Sequence, residues 1–77
     1  MVEAYVLVTV GIGKVHDVVE ELKLLDCVKY IDAVTGPYDV ITRIQAKDLG
    51  ELTKTVIQKL HKIDGVIDTT TAIVIDL

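Results

Sequence analysis

The chain has no phenylalanine, no tryptophan and no serine, only one cysteine and one proline, and too few basic residues to balance its acids. Each shortage closes a class of function. Without serine, and with Cys27 far in sequence from His16 and His61, no nucleophile, base and orienting acid assemble into a triad. The same two histidines and the cysteine have no metal-ligand spacing, so neither a metal nor any other cofactor is expected. A formal charge of −4, with no cluster of lysine and arginine, argues against direct nucleic-acid binding, which draws its affinity from basic side chains displacing counterions. A single cysteine forms no internal disulfide. Beside Val28 it reads as apolar filler in a reducing cytoplasm. No apolar run approaches the ~20 residues of a membrane span and no basic leader precedes one. A cytoplasmic protein without membrane contact is the expectation.

What is present is aliphatic. Half of the 77 residues are apolar and the aromatics are Tyr5, Tyr30 and Tyr38 alone, so the core must come from valine, isoleucine and leucine, which favour strands. A chain of this length makes one domain, spanning 1–77, and buries only about 60% of its unfolded surface. Ala4, Val6, Val8 and Val10 alternate with Tyr5 and Leu7, the period of a strand. After Gly11-Ile12-Gly13 the apolar positions shift to Val15, Val18, Val19, Leu22 and Leu25, a helical stripe ending near Asp26. Val28–Thr35 and Val40–Ala46 read as two strands of a hairpin around Gly36-Pro37-Tyr38-Asp39. Asp48 and Glu51 form a capping-box-like start for a second helix, in which Asp48 caps the first free amides and Glu51 reaches back to the Asp48 amide. Leu49, Leu52, Val56, Leu60 and Ile63 are its buried stripe. Gly65 follows its end, and Val66–Leu77 resumes as a strand. The order is βαββαβ, an α+β arrangement with an antiparallel four-stranded sheet and both helices on one face.

Two helices leave the other sheet face open, and that face is too aliphatic for an isolated protomer, which points to a homodimer packed through it. Several local patterns carry less. Gly11-Ile12-Gly13-Lys14 lacks the glycine spacing and the hydroxyl residue of a phosphate loop, and reads as a tight turn. Asp32, Asp39 and Asp68 have no spacing that makes a pair converge. The central turn is more suggestive. Gly36 reaches backbone angles closed to other residues, Pro37 fixes its own φ and Asp39 can fold its carboxylate onto backbone amides, so the loop is stiff enough to hold a ligand. In Asp68-Thr69-Thr70-Thr71, Thr69 and Thr71 share one face of their strand. Hydroxyls both donate and accept, which suits a zwitterion.

Thr35-Gly36-Pro37-Tyr38-Asp39 in the hairpin, Asp48-Leu49 at a helix start, and Ile63-Asp64-Gly65-Val66 leading into Thr69-x-Thr71-x-Ile73-Val74 resemble the RAM domain, the ligand-sensing domain of the Lrp/AsnC transcriptional regulators. The resemblance covers essentially the whole chain, which looks like a stand-alone RAM domain without the helix-turn-helix. It implies a ferredoxin-like sandwich, dimers assembled into rings such as octamers or decamers, and an amino acid bound between subunits. It further implies a non-enzymatic sensor that signals to a DNA-binding regulator. Carried over residue by residue, the ligand contacts are Gly36, Pro37, Tyr38 and Asp39 with Thr69 and Thr71. The amides near Gly36 and Tyr38 would take the carboxylate, and Asp39 or a threonine hydroxyl the ammonium. An ACT-like regulatory module and a small dimeric α+β-barrel enzyme share the strand order and remain the alternatives.

Overall fold

The structure, a computed structural model, describes residues 1–77. Its elements are β1 (Val2–Val10), α1 (Val15–Lys23), β2 (Val28–Ala33), β3 (Val40–Ala46), α2 (Leu49–Thr55) continuing into a π-helical turn (Val56–Leu60), and β4 (Val66–Ile73). All strand pairs are antiparallel, in the order β2-β3-β1-β4. This is the ferredoxin-like sandwich anticipated above.

Alternation in β1 and β3 decides which sheet face is covered. Ala4, Val6, Val8 and Val10 meet Ala46, Ile44, Thr42 and Val40 across the ladder or beside it, and all eight are buried beneath the helices. Thr42 is the polar member of that layer. Its hydroxyl donates to the Val6 carbonyl at 3.1 Å, which removes the cost of burying it unpaired. Val18 and Leu22 of α1, and Leu52, Val56 and Leu60 of the second helix, close the core from above.

The boundaries depart from the expected ones where partners run out. β4 stops at Ile73 because its neighbour β1 has nearly reached its beginning. Ala4 pairs with Ile73, the Val74 amide takes the Glu3 carbonyl at 2.9 Å, and the chain beyond has no strand to pair with. β2 ends at Ala33, opposite the first residue of β3, and α1 ends at Lys23 rather than near Asp26. Leu49 is more than half exposed instead of buried, being the first residue after the cap, at the N-terminal end of the helix. The cap itself forms, with the Glu51 amide donating to Asp48 Oδ1 at 2.8 Å. Glu51 reaches back to the Lys47 amide rather than to that of Asp48.

A register shift at Thr9/Val10 sets Val66 opposite Val10, so Val66 packs against the core. Strict alternation would have put it with Ala72 on the open face. The extra residue on β4 changes the parity of everything before it.

Candidate functional site

The central hairpin is tied to the middle of the sheet, not only to its own strands. The Val34 amide donates to the Asp39 carbonyl at 2.9 Å and closes the loop. Next, the Asp39 amide donates to the Val8 carbonyl at 3.0 Å, and Asp39 Oδ2 accepts from the Val10 amide at 2.8 Å. The carboxylate therefore grips β1, 29 residues away, where the sequence suggested amides closer by. Both bonds hold the turn over the end of β1. Gly36 adopts a φ of +146°, which a side chain disfavours, and nothing lies within 4 Å of where its Cβ would be. The amides of Gly36 and Tyr38 have no hydrogen-bond partner in the chain. Gly36 and Pro37 are exposed, and Tyr38 and Asp39 half-buried. The loop thus presents free donors on a fixed support.

Thr69 and Thr71 do share a face, the helix-covered one, opposite Val8 and Val6. They do not meet the turn. The hairpin lies on the β3 side of β1 and β4 on the other, so two ladder spacings, about 10 Å, separate the two groups. Thr71 lines a groove of about 250 Å³ with Thr53 and Ile57 of the second helix. The Thr69 hydroxyl is hydrogen-bonded to Nε2 of His61, the residue that ends the π-helical turn. Sequence reading placed His61 in solvent. It is exposed, but its partner could not be read from residue types, because the pairing follows from where the helix ends over β4.

A second constellation went unseen in the sequence. On the open sheet face, Arg43 of β3 forms a two-pronged ion pair with Glu3 of β1, Nε to Oε1 at 3.2 Å and Nη2 to Oε2 at 3.1 Å. Gln45 Nε2 donates to the same carboxylate at 3.0 Å, and Arg43 Nη1 donates to the Tyr5 hydroxyl at 2.9 Å. Hydrogen bonds from Arg43, then from Gln45, hold the Glu3 carboxyl below the usual range, and the same bond to Glu3 raises Arg43. The cross-strand pairs Glu3–Gln45 and Tyr5–Arg43 would have revealed this set had the register been known. Around it stand Leu7, Ile41 and Ala72, apolar side chains of the uncovered face. Cys27 is half-buried, and burial pushes its thiol up, in keeping with a packing role.

The larger clefts of the single chain lie away from the hairpin. One of about 520 Å³ runs between Leu24 and Lys62, and another of about 500 Å³ between Leu49 and Ile75. No helix is long and apolar enough to cross a membrane.

Comparison with known proteins agrees with this architecture. An uncharacterised HTH-type transcriptional regulator of Pyrococcus horikoshii is 39% identical over 70 residues, which are 91% of this chain and 44% of that protein. This chain accordingly spans less than half the length of such relatives. The crystal structure of FFRP-DM1 is 32% identical and superposes with a TM-score of 0.94 over 97% of this chain and all of the other. A transcriptional regulator of Neisseria meningitidis, solved in complex with L-Met, shares the fold at a TM-score of 0.85, with 22% identity over 97% of this chain and half of its own. The model of the Lrp/AsnC ligand binding domain matches residues 3–77, and with it the chain belongs to the Lrp/AsnC family as a RAM domain.

Proposed function

We propose that the protein is an amino-acid-sensing and oligomerisation module, not an enzyme, that binds a small amino acid at a seam between copies and conveys occupancy to a DNA-binding regulator. The observation that carries this reading is the anchored hairpin. Its Gly36 and Tyr38 amides are free to donate to a carboxylate, and one Asp39 oxygen remains for an ammonium while the other holds β1. The L-Met complex of the Neisseria regulator supports an amino acid as the ligand class. Because the turn and the threonines stand on opposite sides of β1, a ligand touching both is completed by a second copy. Such a ligand stabilises the assembly that forms its pocket, and rings of dimers give it many equivalent seams.

A thermal-shift screen of the twenty common amino acids identifies the ligand, and calorimetry on Asp39 variants tests the site. Asp39→Asn keeps an acceptor for the Val10 amide but loses the charge. It should retain the fold while weakening the amino acid about 10- to 100-fold, the worth of one hydrogen bond to a charged group. Unchanged affinity for a confirmed amino acid would remove Asp39 from the site.

A further inference from the structure

We propose that His61 is a positioning residue that sets the hydrogen-bonding sense of the Thr69 hydroxyl and thereby couples occupancy of the amino-acid site to pH. The inference rests on the reading of Thr69 as a ligand contact. Its own basis is the bond between Thr69 Oγ1 and His61 Nε2, which joins the end of the second helix to β4.

A threonine hydroxyl has one proton and two lone pairs, and a neutral imidazole nitrogen either accepts or donates. With Nε2 bare, the hydroxyl proton points at the ring and the lone pairs face outward, ready for an ammonium. A protonated imidazole must donate at Nε2. The hydroxyl proton then turns outward, and a positive ring stands behind it. Both changes oppose an ammonium at Thr69. Histidine is the side chain whose charge changes between pH 5 and 8, whereas the α-carboxylate and α-ammonium of a free amino acid keep theirs over most of that range.

His61 makes no ion pair. On its own turn Lys62 follows it, and Asp64 is engaged by Lys14, which precedes α1, at 3.7 Å. From β4, Asp68 Oδ1 accepts from the Thr69 amide at 2.9 Å. That bond fixes the Thr69 backbone while His61 fixes the hydroxyl.

The test uses the full chain, with calorimetry of the best-binding amino acid from the screen and of L-methionine between pH 5.5 and 8.0. Wild type should bind about tenfold more weakly at pH 5.5 than at pH 8.0. His61→Gln, which keeps a hydrogen-bonding group that does not titrate, should show a flat profile near the wild-type value at pH 8.0. Matching profiles in wild type and His61→Gln would overturn the proposal. Thr69→Val separates the two readings: undiminished binding by this variant refutes Thr69 as a contact, whereas weakened binding with an unaltered pH profile refutes His61 alone. A ligand-free arm follows the His61 ring nitrogens by NMR at pH 8.0. Free histidine favours the proton on Nε2, so the bond should appear as a proton on Nδ1 that shifts toward Nε2 in Thr69→Val. Identical tautomers in the two proteins would also overturn it.

Discussion

Arg43 makes four contacts at once, two bonds to the Glu3 carboxylate, one to the Tyr5 hydroxyl, and one with the Tyr5 ring, whose centroid lies 5.2 Å from its guanidinium. A planar cation with a fork of donors does this where lysine would not. The consequence for stability has a definite sign. The Glu3 carboxyl is held below its usual range by Arg43 and then Gln45, so the folded state favours its ionised form. Its contribution is complete above the ordinary glutamate range and fades as pH falls through the lower folded-state value. Glu3→Gln should therefore be less stable than wild type near neutrality, and thermal melts of the two should converge as pH falls below about 4. Parallel melting curves down to pH 3 would show that the pair adds nothing. Residue types alone foretold none of this, because Glu3 and Arg43 become neighbours only through the β1–β3 register.

At the level of elements, the most confined of the glycines is Gly65, which joins the second helix to β4. Its carbonyl accepts from the Gly11 amide at 2.8 Å. With φ at +101°, a Cβ there would stand 2.8 Å from Lys14 Cβ and 3.1 Å from Cγ2 of the buried Val18. Gly65→Ala thus combines backbone strain with a clash into α1 and should cost at least about 2 kcal/mol, lowering the melting temperature by roughly 10 °C. Gly36→Ala, strained but unobstructed, should cost less in the same assay. The glycine after the helix was legible from its place in the sequence. So were the strand and helix periods and the facing of Thr69 and Thr71. The register shift at Thr9/Val10 and the π-helical turn were not, since one extra residue in a ladder or a helix leaves its composition unchanged. The turn was legible as stiff, but its anchor on Val8 and Val10 depends on β3 lying beside β1, a fact of topology.

For the whole molecule, the sheet has one face under helices and one with Tyr5, Leu7, Ile41 and Ala72 uncovered around a satisfied ion pair. An apolar patch of this kind would suit a two-fold dimer. Leu7→Glu should sediment as a monomer at micromolar concentration while keeping the wild-type circular dichroism. A dimer that survives this charge would place the contact elsewhere. The strand order has a further effect during synthesis. β1 is made before every other element, yet both of its neighbours arrive late, β3 from the middle of the chain and β4 from near its end. A valine-rich strand therefore leaves the ribosome long before its hydrogen-bonding edges can be filled, and the sheet closes only when translation of the domain is nearly done.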